Sequence, residues 1–359
     1  MQVQDYLVTL GVRPAELSGL KELPGGTKDR LTPLLLLAPW LATTPLSRAL
    51  EKFEDAFPAR PYFIDVDTYY QVNENINDAK RLWQQLAHAP ADIGPWWELL
   101  SDFPNANPCL LMARQPIDSA REQIAWARRN NRTFCLRMNL ADGIGSGIPQ
   151  WMPTLVNELT SEGANDYAIV FEFGLVENPL LVASVVTGFT NSFFGAISSE
   201  VPVAVSCTSF PTDFTPFDGT EELAFTNRTL VSLVQQTTNK KVVYGDWGTT
   251  KPRSYGHASQ PKIRIDYPTD DSWLFARNQN GELSFQDAAL RITGSNRWSG
   301  NLGIWGEQMI EGTAQGQAFA IDSMPKMYAA RINIHLHRQA YFGDLPSPDA
   351  LDEEWSDDF

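Results

Sequence analysis

Eight ionisable side chains stand at or near the ends of apolar, strand-like runs in this sequence. A buried strand has no structural need for a charge at its last positions, so this repetition indicates a site assembled where strands end. Carboxylates at such a place could act as general acids and bases, and guanidinium groups could hold anions. The eight residues are Asp65, Asp67, Arg114, Arg137, Glu172, Asp246, Arg264 and Asp266.

These side chains are predicted to converge in one pocket, where five carboxylates and three guanidinium groups nearly neutralise one another. Such density could raise the pKa of one carboxyl for general-acid work while a neighbour stays ionised. The predicted catalytic residues are Asp65, Glu172 and Asp246. The predicted ligand-binding residues are Asp67, Arg114, Arg137, Arg264 and Asp266, and the expected ligand is a small polar or phosphorylated molecule.

The pattern does not name a reaction. If the protein is an enzyme, the carboxylates favour a hydrolase-type activity. Asp65 and Asp67 lie on one edge and together would suit Mg²⁺, although the sequence does not require a metal. His335 and His337 would share a face if residues 332–337 formed a strand, but a metal site would need a third ligand that the sequence does not identify.

A structural interpretation of the same charges stays open. Polar side chains inside a barrel often form an ion network that fixes strand order, and a carboxylate perturbed by such a network need not be catalytic. The sequence does not separate the two interpretations.

Strand-like runs alternate with helix-like ones along the chain, which is typical of a parallel sheet with crossover helices. The eight runs that we count begin with TPLLLLAP (32–39) and end with PKIRIDY (261–267). This number favours a single α/β domain of the (β/α)8, TIM-barrel-like type. We expect an N-terminal arm over residues 1–30, the barrel over 31–343 and an acidic flexible tail over 344–359.

Composition limits the class of protein. The net charge of −15 argues against direct binding to nucleic-acid phosphates. No run of apolar residues is long enough to cross a membrane. Cys109, Cys135 and Cys207 lie inside apolar runs without CxxC spacing and are interpreted as reduced core thiols. The expected location is the cytoplasm.

Several segments, in order, resemble the phage-type beta family. They are LTPLLLLAPW (31–40), RPYFIDVD (60–67), VVYGDWGTTKP (242–252), KIRIDY (262–267), WLFAR (273–277), WSGNLGIWGEQMIEGTAQG (298–316) and INIHLHRQ (332–339). The family's recurrent positions fall on Pro33, Pro61, Asp65, Gly245, Asp246, Arg264, Trp273 and Arg277. The chain departs from the family where Leu336 separates His335 and His337.

The resemblance implies a protein of phages and bacterial mobile elements that acts in phage–host conflict, in defence or counter-defence. Two modes of action are compatible with it. In the first, the charged pocket binds its ligand. In the second, a non-catalytic acidic protein blocks or assembles with a protein partner through its surface.

Overall fold

A parallel sheet of eight strands, nearly closed into a barrel, forms the centre of the molecule. The computed structural model describes residues 1–41, 44–72, 75–88, 92–112, 115–141, 148–193, 195, 197–238, 240–253, 262–280 and 282–344. The barrel strands are β1 (Tyr6–Gly11), β2 (Leu31–Leu37), β3 (Tyr62–Val66), β4 (Ala106–Pro108), β5 (Phe134–Asn139), β6 (Tyr167–Leu175), β7 (Val203–Thr208) and, after one further strand, β9 (Val242–Asp246). The predicted α/β fold is confirmed at this level.

The sheet nearly closes because its two outer strands approach each other. The order is β4-β3-β2-β1-β9-β7-β6-β5, so β4 and β5 are the ends. A parallel bridge joins Cys109 to Cys135 across this gap, and the Leu110 amide donates to the Cys135 carbonyl at 3.0 Å. These two cysteines and Cys207 are buried, and all three are free thiols.

Alternate residues of the barrel strands face two different layers. Leu7, Phe63 and Val170 belong to an apolar cluster drawn from strands all round the sheet, which places this cluster inside the barrel. Their neighbours Val8 and Ile64 belong to a larger cluster formed with the surrounding helices. The strands are therefore apolar on both faces, as parallel strands covered by helices are.

Helices connect the strands and cover the outer layer. Some begin with local capping signals: Asn77 accepts from the Lys80 amide, and Ser284 and Asp287 form a capping box. The helices of the described residues are α1 (Pro14–Lys21), α2 (Gly25–Lys28), α3 (Ser47–Ala56), α4 (Asp78–Ala87), α5 (Gly94–Ser101), α6 (Ile117–Arg129), α7 (Met152–Ser161), α8 (Pro179–Phe193), α9 (Asn227–Gln236), α10 (Phe285–Thr293), α11 (Trp305–Ala314) and α12 (Met324–Ala340). Within that part of the chain, none has both the length and the apolar character needed to cross a bilayer.

The eight barrel strands are not the eight that the sequence predicts. Residues 6–28, assigned to an N-terminal arm, form β1, α1 and α2, and β1 pairs with both β2 and β9. Conversely, the run 261–267 contributes to a separate antiparallel sheet of order β10-β11-β8. These three strands are β8 (Gly219–Ala224), β10 (Arg264–Pro268) and β11 (Ser272–Arg277). The tail beyond residue 344 lies outside the described residues.

Helix α12 joins the barrel to this second sheet. Its side chains are buried on nearly all sides, and Asn333 donates to the Gly19 carbonyl of α1 at 3.1 Å while accepting from the Gly306 amide of α11 at 3.0 Å. A Cβ atom at Gly19 or Gly306 would lie 2.7 or 2.6 Å from a carbonyl oxygen of α12. Both neighbouring helices therefore need glycine at the point of contact.

The two histidines of α12 point in different directions, because residues two apart on a helix lie about 200° apart. His335 contacts Asp246 of β9, whereas the His337 Nδ1 lies 2.9 Å from the Thr27 hydroxyl. A shared face would have required a strand over residues 332–337, and the segment is helical.

The buried His337 predicts a pH-dependent loss of stability. Burial, and then the nearby Arg338 charge, lower the pKa of His337 to about 4. Protonation thus favours the unfolded chain, where an imidazole has a pKa of about 6.5. The contribution of neutral His337 to the free energy of unfolding is present above pH 6.5. We expect this contribution to fall by about 3 kcal/mol as the pH is lowered from 6.5 to 4. Urea unfolding across this range should show a shallower pH dependence for His337→Asn; an identical slope would contradict the assignment.

Candidate functional site

The predicted site residues separate into four places. Asp65, Arg137 and Glu172 lie inside the barrel, Asp67 lies at the end of β3, Asp246 faces outward from β9, and Arg264 and Asp266 belong to the second sheet. Arg114 lies outside the described residues. The expectation of one common pocket is therefore wrong, although the roles assigned to the single residues stay predictions.

Inside the barrel, Asp65 and Arg137 form an ion pair above the apolar interior cluster. The Arg137 Nη1 donates to Asp65 Oδ2 at 2.9 Å, and the side chains are 3% and 15% exposed. The Nε and Nη2 atoms of Arg137 are buried and have no hydrogen-bond partner among the described residues. The pair links β3 to β5, two strands that do not neighbour each other in the sheet.

Glu172 is fully buried beside this pair. Its Oε1 accepts from Trp247 Nε1 at 2.6 Å and from the Gly174 amide at 2.9 Å, and its Oε2 accepts from Thr9 at 3.2 Å. Burial raises the pKa of Glu172, against the opposing effects of Arg137 and the hydrogen bonds. Gly174 has a φ of +60° at a break in the strand register, so the carboxylate also stabilises an irregular turn of β6.

Asp246 lies in the layer between the barrel and α12. It accepts from the Tyr6 hydroxyl at 2.6 Å, the Tyr244 hydroxyl at 2.7 Å, His335 Nε2 at 2.7 Å and the Gly248 amide at 2.8 Å. Burial alone would raise the pKa of Asp246, but His335 and these donors lower it. The four donors come from β1, β9, the residues after β9 and α12, so this carboxylate holds three elements together.

Asp67 is likewise held by an arginine. The Arg253 Nε donates to its Oδ2 at 2.6 Å, and the Arg253 Nη2 donates to the Val12 carbonyl at 3.1 Å. The contact connects the segments that follow β3, β9 and β1. With Asp65 on Arg137 and Asp67 on Arg253, both carboxylates suggested for Mg²⁺ have cationic partners, and the described residues contain no group of three or more potential metal ligands.

The second sheet and α12 hold a cluster of arginines around one carboxylate. Arg264 Nε donates to both oxygens of Asp266, at 2.8 and 3.0 Å, and Arg331 Nη1 donates to Asp266 Oδ2 at 2.6 Å. Arg277 is paired with Arg264 in the strand register, and its buried Nη1 has no hydrogen-bond partner among the described residues. Burial, and then Arg264, lower the pKa of Arg277.

Aromatic rings fix two of these guanidinium groups. Arg264 lies 3.7 Å from the centroid of Phe214, and Arg331 lies 4.3 Å from that of Phe210. Tyr328 lies near both, at 5.7 and 5.0 Å. Such stacking orients a guanidinium group without using its hydrogen-bond donors.

A cavity of about 360 Å³ opens beside the cluster. We call it the arginine pocket. It is formed by α1, the segments that follow β7 and β9, β10 and α12. Its lining residues are Arg13, Ala15, Glu16, Phe210, Pro211, Phe214, Thr250, Lys251, Arg264, Tyr328, Arg331 and Ile332.

Most residues of the arginine pocket could not be found from sequence. Arg264 was predicted from its place in an apolar run, and Asp266, which supports it, from the same run. Arg331 immediately precedes the segment INIHLHRQ. It does not stand at the end of an apolar run, so the criterion of a charge at a strand end does not select it. Arg13, Glu16 and Lys251 lie in segments whose contact with β10 depends on the second sheet.

Asp246 supplies a test of structural against catalytic roles. In Asp246→Asn, the Nδ2 group would replace one carboxylate oxygen and would face two donors from which it cannot accept, so we expect a loss of about 3 kcal/mol or more in the free energy of unfolding. Asp65→Asn, whose carboxylate is partly exposed, should cost less. Urea unfolding of both variants measures the difference, and an Asp246→Asn protein as stable as the wild type would refute the structural role.

Similarity to known proteins extends over nearly the whole chain. The chain is 25% identical over 349 residues to Protein beta of Enterobacteria phage P4, and the alignment covers 93% of this chain and 92% of the phage protein. A family model described as Beta protein matches residues 6–341, from the first residue of β1 to just beyond α12. Since that match includes the barrel, the second sheet and every lining residue of the arginine pocket, the chain belongs to the Beta protein family.

Proposed function

We propose that the protein binds a small phosphorylated ligand in the arginine pocket. The observation that carries this proposal is a charge imbalance in a largely buried place. Arg264 and Arg331 share the single carboxylate of Asp266, which is fully buried. Buried charges are usually accompanied by an equal number of opposite charges. A buried arginine without a carboxylate of its own therefore favours the binding of an anion from solvent.

The size of the imbalance indicates the charge of the ligand. Arg13, Lys251, Arg264 and Arg331 line the cavity, whereas Glu16 and Asp266 supply the carboxylates that pair with them. Lys251 has no carboxylate partner among the described residues. Two positive charges are thus uncompensated, which fits a dianion such as a phosphate monoester better than a single carboxylate.

The free protein bears a cost for this arrangement. Burial lowers the pKa of Arg331, Asp266 raises it, and the neighbouring Arg264 charge lowers it again. The negative charge of a bound dianion would offset the repulsion between the two guanidinium groups. Because the Phe210 and Phe214 rings already orient these groups, little further ordering would be needed on binding.

The biological context of the proposal is conflict between phage and host. The similarity to a protein of phage P4 supports it. The alternative, an acidic protein that acts through its surface on a partner, gives the arginine pocket no role. Catalysis by Asp65 or Glu172 would need the same ligand to reach the barrel interior, and the four donors on Asp246 favour a structural role for that residue.

Removing one arginine should weaken anion binding while the protein stays folded. In Arg331→Met, Asp266 keeps Arg264 as its partner, but the hydrogen bonds of Arg331 to Asp266 and Thr249 are lost, so we expect the free energy of unfolding to fall by about 1–3 kcal/mol. Affinity for methyl phosphate or sulfate, measured by calorimetry, should fall at least about tenfold, as loss of a charged hydrogen bond costs about 1.5–3 kcal/mol.

The matched control is Arg81→Met, which removes an exposed arginine of α4 whose partner is Asp78. It should bind both anions like the wild type. Equal binding by Arg331→Met, or an equal loss in Arg81→Met, would contradict an anion site in the arginine pocket.

The proposed dianion predicts a specific pH dependence. Because the second pKa of a phosphate monoester is about 6, its dianionic fraction rises roughly tenfold between pH 5 and 7. Affinity for methyl phosphate should rise by about the same factor. Sulfate, a dianion throughout this range, controls for titration of the protein, including Glu16, whose pKa is raised by burial. Parallel curves for the two anions would show that the charge of the ligand is not what the pocket recognises.

A further inference from the structure

The wall of the arginine pocket between its charged groups is apolar. Five of the twelve lining residues offer only carbon surface, and a sixth, Tyr328, adds a ring whose hydroxyl is its single polar group. The five are Ala15, Phe210, Pro211, Phe214 and Ile332. A sugar phosphate would bring several hydroxyl groups that need partners, and this wall offers them few. An apolar group would instead leave water and gain contacts.

The aromatic part of this wall is held in place from behind. Phe210 meets Trp273 edge to face, with ring centroids 5.3 Å apart, and Phe214 meets Phe275 in the same way at 5.3 Å. Trp273 and Phe275 are fully buried in β11. The second sheet thereby fixes the positions of the rings that also orient Arg264 and Arg331, and the cavity is formed before any ligand arrives.

The cavity is also larger than an inorganic anion requires. Its volume of about 360 Å³ lies at the lower end of the range of small-molecule sites, which suits a compact organic ligand rather than a bare phosphate ion. The cationic groups and the apolar wall line the same space. One molecule could therefore place an anionic head on the arginines and its body on the rings.

We infer that the ligand class is a phosphate monoester with a flat, apolar body, such as an aromatic ring, rather than a phosphorylated sugar or polyol. This inference rests on the proposed function, since it assumes that the arginine pocket binds the phosphoryl group. It specifies the chemical nature of the rest of the ligand, which the arginines do not contact.

Calorimetry with three probes tests the inference: inorganic phosphate, glycerol 3-phosphate and phenyl phosphate. We expect phenyl phosphate to bind at least about tenfold more tightly than either of the others, because burying about half of a phenyl ring gives a gain of this order. In Tyr328→Ala, the ratio of the phenyl phosphate affinity to the inorganic phosphate affinity should fall toward one, because a ring that would contact the apolar body of the ligand is lost. Tyr328 is partly exposed on a helix, where alanine is well tolerated.

The control variant is Phe319→Ala, which removes an aromatic side chain that is 67% exposed and does not line the cavity. It should keep the full gain for phenyl phosphate. If inorganic phosphate binds but phenyl phosphate binds no better than glycerol 3-phosphate, the inference is overturned and the proposed function stands. A gain that survives in Tyr328→Ala also overturns it, and failure of all three probes to bind overturns both.

Discussion

The fold depends on one helix whose polar side chains are buried on opposite faces. In α12, Arg331 and His335 lie four residues apart and face β10 and β9, whereas Asn333 and His337 face α1, α11 and α2. Each side chain contacts a different neighbouring element, and Asn333, His335 and His337 are almost completely inaccessible to solvent. A buried polar group without its partner is costly, so the position of α12 is fixed in rotation and in translation. The barrel and the second sheet are held to each other through this helix.

The arginine pocket is a product of the same constraint. Arg331 reaches Asp266 because His335, one turn further along, is held on Asp246 of the barrel. The pocket thus combines residues from the barrel loops, the second sheet and α12, and these residues lie as far apart in the chain as Arg13 and Ile332. The second sheet supports the aromatic part of its wall. The positive charges that line it exceed the carboxylates that pair with them. Both properties support the proposal that the arginine pocket binds a ligand.

Sequence patterns predicted the kind of fold but not the identity of all its strands. Apolar runs identified β2 to β7 and β9, because a parallel strand buried on both faces leaves such a run. The segment YLVTLG of β1 lies within the expected N-terminal arm, and Thr9 and Gly11 interrupt its apolar run. The run at 261–267 alternates charged and apolar residues, a pattern that fits an antiparallel strand better than a parallel strand buried on both faces, and this distinction was not used. Polar and apolar residues also alternate over 331–337, which is the pattern of a strand. The segment is nevertheless helical, and it can carry this pattern because its side chains are buried on nearly all sides of the helix.

Some strand pairs of the barrel form long ladders and others short ones. The ladder between β1 and β2 extends over Tyr6–Gly11 and that between β5 and β6 over Phe134–Asn139, whereas β1 and β9 pair over Tyr6–Val8 and β3 and β4 over Tyr62–Ile64. The two ends of the sheet, β4 and β5, meet at the Cys109–Cys135 bridge. Tyr6, Tyr244 and Asp246 reinforce the short β1–β9 ladder with side-chain hydrogen bonds. Opening the junction of β4 and β5 would break few backbone hydrogen bonds among the described residues and would bring solvent to the buried Arg137 from the side of the barrel.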